Sequence, residues 1–153
     1  MNDATPVLQE LTTRDRESIT RLFVNVFTAE PWNDDWSDSD QLHAYIDDLI
    51  AQNNSLTLGF FDGPRMIGLS MGHIKHWYAG TEYYIDELCI DREYQGKGIG
   101  SAFVKAIESF LSERQIFRIF LQTESNVPAY AFYKHRGFKE LVGHVSFARE
   151  FDP

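Results

Sequence analysis

Residues 84–101, YIDELCIDREYQGKGIGS, join a strand pattern directly to a helix pattern, and the other predicted elements lie on either side of this junction. Residues 83–90 are rich in aromatic and β-branched side chains, which predicts a strand. From Gly98 onward, apolar residues recur at helical spacing and predict a helix that runs to about Glu113. The glycines at 96, 98 and 100 therefore lie at a helix start, where unpaired backbone N–H groups and the helix dipole favour phosphate binding.

Other glycine-loop motifs fit this stretch less well. The phosphate loop of nucleoside triphosphatases needs GxxxxGKS or GxxxxGKT, and the sequence contains neither string. The dinucleotide fingerprint GxGxxG needs glycine at position 101, where this chain has Ser101. A purely structural turn is the remaining alternative, since short glycine-rich connections are common.

Two motifs connect the chain to a known family. Residues 95–100, QGKGIG, resemble the Q/R-x-x-G-x-G/A signature of the GNAT superfamily of acyl-CoA-dependent N-acetyltransferases. Residues 126–138, NVPAYAFYKHRGF, resemble the downstream N-x-x-A-x-x-x-Y-x-x-x-G-F motif of the same family. The positions in register are Asn126, Ala129, Tyr133, Gly137 and Phe138. Two motifs in the family order, separated by one helix and one strand, indicate membership over about residues 82–140.

Length, charge and cysteine content limit the protein class. A chain of 153 residues predicts one domain spanning 1–153. The net charge of −9 argues against nucleic acid as a partner. Because we find no leader pattern and no apolar run near 18 residues, neither secretion nor a membrane span is expected. The single Cys89 suits the reducing cytoplasm, and no spaced His/Cys pair predicts a metal site.

The apolar spacing predicts the element order β-α-α-β-β-β-α-β-α-β-β. The strands are expected at 6–11, 55–61, 66–75, 83–90, 117–123, 138–141 and 145–149. Helices are expected from Thr12 or Thr13 to Pro31, after Ser39, from Gly98 and around 129–135. This order predicts an α/β (α+β type) fold with a mixed, mostly antiparallel sheet of six to seven strands and about four helices. It is the element order of the GNAT fold, in which the strands beside the phosphate-binding helix splay apart.

The resemblance implies acetyl-CoA as the donor and three segments that bind it. The glycine loop would hold the pyrophosphate, the edge of the strand before it would pair with the pantetheine amides, and the asparagine of the second motif would contact the cofactor. A bulge near that strand edge would aim one N–H group at the thioester carbonyl. The implied residues are Leu88, Cys89, Ile90, Gln95, Gly96, Lys97, Gly98, Ile99, Gly100, Ser101 and Asn126.

Two residues are candidates for proton transfer. By resemblance, Tyr133 protonates the departing thiolate, although its helical spacing also fits a packing role. The acceptor ammonium must lose a proton, and Glu87 is the first candidate base. The rival bases are Asp86, His76, Glu124 and a water chain. Direct transfer is preferred over an acyl-enzyme on Cys89, which has no His or Asp partner in motif form.

The acceptor is predicted from charge. Residues 28–48 carry seven Asp or Glu and no Lys or Arg. An acidic, Trp-bearing wall would bind a small cationic amine such as an aminoglycoside or polyamine. The candidate acceptor residues are Trp32, Trp36, His76, Trp77 and Tyr78.

Several alternatives stay open. The acidic run can instead be a solvated face, and the acceptor can be a protein N-terminus or lysine. A GNAT module that binds acyl-CoA without turnover is the second function class. Phe147 and Phe151 near the C-terminus are candidates for a homodimer interface or for the core.

Overall fold

The computed structural model describes residues 4–153, which form two compact units divided between Gln122 and Thr123. The strands are β1 Val7–Leu11, β2 Ser55–Asp62, β3 Arg65–Trp77, β4 Gly80–Ile90 and β5 Ile119–Leu121. The α-helices are α1 Arg16–Phe27, α2 Ser39–Ile50, α3 Ile99–Ser112 and α4 Pro128–His135. Of these elements only α4 lies in the second unit. No helix among residues 4–153 is long and apolar enough to cross a membrane.

The first unit is built on one mixed sheet with the strand order β1-β2-β3-β4-β5. Neighbouring strands are antiparallel except for β4 and β5, which are parallel, as the predicted fold class requires. The β4–β5 pairing is short and joins Tyr83–Ile85 to Ile119–Leu121. The opposite edge of β4 stays paired with β3 as far as Ile90. Within the described part of the chain, residues 86–90 therefore have no strand partner on the β5 side, which is the splay that the resemblance implied.

Helices cover both faces of this sheet. The first face packs α1 and α2 against Leu69, Met71 and Cys89. The apolar residues of α1 that the spacing predicted are buried there, namely Ile19, Leu22, Phe23, Val26 and Phe27. The second face packs α3 against the sheet, and the ring of Phe103 stacks on that of Phe60 at 5.0 Å. A sheet buried on both sides holds β4 rigidly, and β4 carries the candidate site.

Capping residues fix where the helices begin. Thr12 and Asp15 form a capping box at the 3-10 turn that precedes α1. The carboxylate of Asp38 accepts hydrogen bonds from the backbone N–H groups of Asp40 and Gln41, both at 3.1 Å, and starts α2. Helix α1 ends at Phe27, earlier than the Pro31 boundary predicted from the sequence.

The prediction of two strands at 138–141 and 145–149 is wrong. Among residues 123–153 the structure has helix α4 and no strand, so the sheet of the described chain has five strands instead of six or seven. Val145 is 75% exposed and Phe147 is 94% exposed. Alternating apolar residues form a strand only where another strand supplies hydrogen bonds and a surface to bury, and the structure describes no second strand among residues 123–153. Strand β5 is also shorter than the predicted 117–123.

Candidate active site

The glycine loop ends in a helix start that is open to an anion. Gly98 is the N-cap of α3 and has a φ of 77°, while Gly96 has a φ of 75°. Apart from the adjoining residues, no atom of the described chain lies within 4 Å of the position that a Cβ would take at either glycine. The first helical hydrogen bond runs from Ala102 N to Gly98 O at 3.1 Å, so the N–H groups of residues 99–101 point out of the helix end. This donor set fits a pyrophosphate.

Side chains tie the loop to the end of β4. The amide nitrogen of Gln95 donates a hydrogen bond of 2.9 Å to the carbonyl oxygen of Ile90. Arg65 pairs with Asp91 at 2.9 Å and with Glu93 at 2.6 Å, and Asp91 is buried. Gln95 thus connects the start of the glycine loop to the last residue of β4. These contacts fix the position of the glycine loop relative to the open edge of β4.

A β-bulge in β4 brings two consecutive carboxylates to one face of the sheet. Glu87 lies opposite Met71 on β3, whereas Ile85 lies opposite Gly72, so Asp86 is the extra residue. In a regular strand Asp86 and Glu87 would point to opposite faces. Here Glu87 contacts helix α2, and Asp86 contacts His73, which lies two residues from Met71 on the same face. The bulge thus builds a cluster of acids beside the open edge of β4.

Helix α2 holds the candidate base. The hydroxyl of Tyr45 donates a hydrogen bond of 2.6 Å to Oε1 of Glu87. Burial raises the pKa of the Glu87 carboxyl, the bond from Tyr45 opposes that rise, and the charges of Asp34 and Asp86 add to it. Burial and the bond to Glu87 raise the pKa of the Tyr45 phenol, which keeps the hydroxyl protonated as the donor. Glu87 is therefore a half-buried carboxyl with a fixed partner.

His73 and Asp86 form a second pair next to Glu87. Nδ1 of His73 lies 3.1 Å from Oδ2 of Asp86. The imidazole stacks on the ring of Tyr84 at 4.9 Å, and the Tyr84 hydroxyl donates to Oε1 of Gln122 at 3.3 Å. Of the rival bases, Asp86 is thus already engaged by a histidine.

The structure separates the predicted acceptor residues into two groups. Trp36 stacks on Tyr45 with ring centroids 5.1 Å apart, and Trp32 packs on Phe27 at 5.6 Å. The indole N–H of Trp36 is buried and has no hydrogen-bond partner among the described residues, so Trp36 contributes by packing. These tryptophans belong to the aromatic cluster that surrounds the Tyr45 ring.

The second group, residues 76–78, lies at the end of the β3–β4 hairpin. Trp77 is six residues along β3 from Met71, which faces Glu87, and this corresponds to about 20 Å. Tyr78 is 89% exposed, and the Arg118 guanidinium lies 5.3 Å from the Trp77 ring. The two groups do not form one wall beside Glu87.

The acidic run of residues 28–48 has mixed roles. Asp38 caps α2, Asp35 accepts a hydrogen bond from Ser37 N, and Asp47 pairs with Arg16 at 2.6 Å. Asp34 is exposed and acts electrostatically on both Tyr45 and Glu87. Part of the acidity therefore supports the fold, and Asp34 is the member that acts on the candidate base.

The second unit carries the downstream motif. Asn126 is exposed and lies two residues before α4, which starts with Pro128. Tyr133 lies on α4, and its ring contacts those of Phe132 at 5.4 Å and Phe138 at 5.2 Å. Gly137 has a φ of 89°, which ends the helix and lets Phe138 fold back so that its N–H bonds to Tyr133 O at 3.0 Å. The Y-x-x-x-G-F part of the motif thus has a local packing role as well.

The surroundings of Cys89 do not favour an acyl-enzyme, the alternative to direct transfer. Cys89 is 5% exposed, and burial raises the pKa of its thiol, which keeps it protonated and non-nucleophilic. Among residues 4–153, no group of three or more His, Cys, Asp or Glu side chains is arranged to hold a metal ion.

Sequence reasoning missed the roles of Tyr45 and His73. Tyr45 lies on the apolar face of α2, so its spacing predicts only a core residue. For His73 the sequence predicts only a position near the end of a strand. Their partners lie 42 and 13 residues further along the chain, and only the folded sheet brings them together. A tyrosine on an otherwise apolar face was the one signal in the sequence.

A mixed sheet that splays beside β4 and a helix that starts at a glycine next to the open edge are the features of the GNAT fold that the motifs implied. The model of the acetyltransferase (GNAT) family matches residues 16–138, so the chain belongs to this family.

Individual proteins are similar to this chain in sequence or in fold. The uncharacterized protein YxbD of Bacillus subtilis (strain 168) is 29% identical over 108 residues, which cover 64% of this chain and 68% of that protein. An aminoglycoside acetyltransferase, meta-AAC0020 from an uncultured soil metagenomic sample, has a crystal structure in complex with sisomicin. It superposes with a TM-score of 0.70 at 24% identity, over 98% of this chain and 100% of that chain. The integron cassette protein VCH_CASS6 from the mobile metagenome of V. cholerae gives 0.79 at 15% identity, over 97% and 94% of the two chains. At these identities the two structures show a shared fold.

Proposed function

We propose that this protein is an N-acetyltransferase that moves the acetyl group of acetyl-CoA directly to the primary amine of a small cationic acceptor, such as an aminoglycoside or polyamine. The observation that carries the proposal is Glu87, a half-buried carboxylate on the stretch of β4 whose outer edge has no strand partner among the described residues. A proton acceptor at an open strand edge, next to a helix start suited to phosphate, is what amine acylation needs.

The donor would be held by backbone groups of the first unit. Acetyl-CoA supplies the acetyl group as a thioester when it is bound. The N–H groups of the glycine loop hold its pyrophosphate, and the edge of β4 pairs with its pantetheine amides. The proposed donor-binding residues are Leu88, Cys89, Ile90, Gln95, Gly96, Lys97, Gly98, Ile99, Gly100, Ser101 and, from the motif of the second unit, Asn126.

Two side chains would move the protons. Glu87 takes one proton from the acceptor ammonium, and its raised pKa makes it a stronger proton acceptor than an exposed glutamate. The freed amine forms the carbon–nitrogen bond as the carbon–sulfur bond breaks. The Tyr133 hydroxyl gives its proton to the sulfur and recovers one from the nitrogen, so that one proton leaves through Glu87. The role of Tyr133 rests on the motif register.

The acceptor assignment is supported by charge and by relatives. Asp34, Asp86 and Glu87 interact electrostatically, and the rings of Trp36 and Tyr45 lie on the same side of the sheet. Carboxylates and aromatic faces attract an ammonium group. The structurally similar meta-AAC0020 is an aminoglycoside acetyltransferase whose structure contains sisomicin. A free cysteine suits the reducing cytoplasm, where we place this reaction.

A thiol-release assay tests the proposal. Purified protein is mixed with acetyl-CoA and, one at a time, aminoglycosides, polyamines, arylalkylamines, amino acids and short peptides. Thiol release that depends on a cationic small amine supports the assignment. Release only with neutral or peptide acceptors would overturn the acceptor class, and CoA binding by calorimetry without any release would favour a non-catalytic module.

A further inference from the structure

The hydrogen bond between Tyr45 and Glu87 connects two elements that are distant in sequence. Tyr45 lies in the middle of α2, and Glu87 follows the bulge in β4. The separation of 2.6 Å between Tyr45 Oη and Glu87 Oε1 is that of a charge-assisted O–H···O bond. A carboxylate has about four acceptor positions, so the bond leaves Glu87 able to accept a proton or a further donor.

The phenol ring of Tyr45 is held on two sides. Trp36 stacks on it at 5.1 Å with an interplanar angle of 15°, and Phe23 of α1 lies at 5.9 Å with an angle of 55°. Both neighbours belong to or pack against the buried cluster between the helices and the sheet. Because packing fixes the ring, the direction of its hydroxyl is fixed as well.

The charges around Glu87 disfavour its ionised form. Asp34, in the loop before α2, and Asp86, which precedes Glu87 on β4, act electrostatically against its ionisation. His73 of β3 pairs with Asp86, and burial keeps the thiol of Cys89, two residues further along β4, protonated. Phe23 of α1 and Met71 of β3 are uncharged. Tyr45 is the neighbour whose contact favours the carboxylate.

We infer that Tyr45 is a positioning residue for the base of the proposed reaction, because its hydroxyl aims the Glu87 carboxylate and keeps it ionised among like charges. The inference rests on the proposed function, since it assigns Tyr45 a role toward a base that the proposal names. The Tyr45 ring acts through Glu87 and exchanges no proton with the substrate.

The test is a Tyr45→Phe variant, which keeps the ring and its aromatic contacts. The pKa of Glu87 is measured by carbon-13 NMR titration of the protein without acetyl-CoA, with Glu87→Gln used to assign the resonance. The free energy of a charge-assisted hydrogen bond is large enough that loss of this bond should raise the pKa of Glu87 by about one unit. The acid limb of kcat/KM for one fixed amine should then move to higher pH by a similar amount. Because every variant is assayed with the same amine, the ionisation of that amine contributes equally to each pH profile and does not affect the comparison.

Tyr94→Phe is the matched control. The Tyr94 hydroxyl also donates to a carboxylate, Oδ2 of Asp62, at 3.1 Å. This variant loses a bond of the same type away from the bulge and should leave both the Glu87 titration and the acid limb where they are in the wild type. Equal thermal midpoints for the two variants would show that folding is not the cause of a difference.

The results distinguish the role of Tyr45 from the assignment of Glu87 as the base. A higher Glu87 pKa together with a shifted acid limb in Tyr45→Phe supports the inference. An unchanged titration, or a changed titration with an unmoved acid limb, overturns it. Wild-type turnover in Glu87→Gln would instead show that Glu87 is not the base of the proposed function. That conclusion would not depend on the effect of Tyr45 on the carboxylate.

Discussion

Nδ1 of His73 lies 3.1 Å from Oδ2 of Asp86, on the sheet face that also carries Glu87. The bulge makes this arrangement possible, because it turns Asp86 and Glu87 to the same side. Each acid then has its own partner, a histidine for Asp86 and a tyrosine for Glu87. The sheet face therefore offers two proton-accepting groups, and mutation can tell them apart.

Glu87→Gln should lower kcat by about 10²–10⁴-fold at neutral pH, since it removes the proposed base but keeps the shape of the side chain. His73→Gln, which breaks the pair with Asp86, should cost less than about tenfold. Steady-state rates at saturating acetyl-CoA and amine make the comparison. The reverse order of effects would move the base to the His73–Asp86 pair.

Tyr133→Phe should lower kcat by about 10²-fold, because the proposed acid loses its proton while the ring keeps its contacts with Phe132 and Phe138. Calorimetry should give nearly the same Kd for CoA. Tyr130→Phe is the control on the same helix, since its hydroxyl donates to Glu140 at 2.8 Å. Full turnover in Tyr133→Phe would remove Tyr133 from the mechanism.

Gly98→Asp should abolish CoA binding, because it places a side chain and a negative charge over the N–H groups at the start of α3. The matched control is Gly63→Asp, in the β2–β3 turn. Gly63 also has a positive φ, 56°, and apart from its chain neighbours no atom of residues 4–153 lies within 4 Å of a Cβ position there, so both variants carry a comparable backbone cost. CoA binding by Gly98→Asp with the affinity of the control would contradict the pyrophosphate assignment.

Gly72→Ala should destabilise the bulge that orients Asp86 and Glu87. A Cβ at Gly72 would lie 2.2 Å from the backbone oxygen of Tyr84, which cannot move without disturbing the β3–β4 pairing. The free energy of unfolding should fall by about 1–3 kcal/mol. At Gly68, also on β3, the nearest atoms are side-chain carbons at 3.1 Å, so Gly68→Ala should cost less. Equal denaturant midpoints for the two variants would argue against the close approach at Gly72.

Sequence patterns predicted the parts of the fold that depend on residues close together in the chain. Helical spacing located the buried face of α1, and the glycines of the loop marked the start of α3. The splay beside β4 was implied by the family resemblance and is visible in the short β4–β5 pairing. The parts that depend on distant partners were missed. The alternation around Phe147 predicts a strand, but no partner strand covers it among residues 123–153.

The candidate site shows the same division. The motif named the loop and Tyr133, and the position of Glu87 on the strand made it the first candidate base. The resemblance implied a bulge near this strand edge, but the period of a strand does not show which residue is the extra one, so the sequence could not show that Asp86 and Glu87 share a face. Nor does a helical pattern distinguish a core tyrosine from one that reaches a carboxylate 42 residues away, which is the case for Tyr45.

The proposed acetyl transfer to a cationic amine can be measured by mass spectrometry of the products formed from acetyl-CoA and an equimolar mixture of cationic and neutral small amines. Free CoA and an N-acetylated cationic amine should appear in equal amounts, and the rate at which both form should fall by about 10²–10⁴-fold with Glu87→Gln. Free CoA without an acetylated amine, or acetylation confined to the neutral amines, would contradict it.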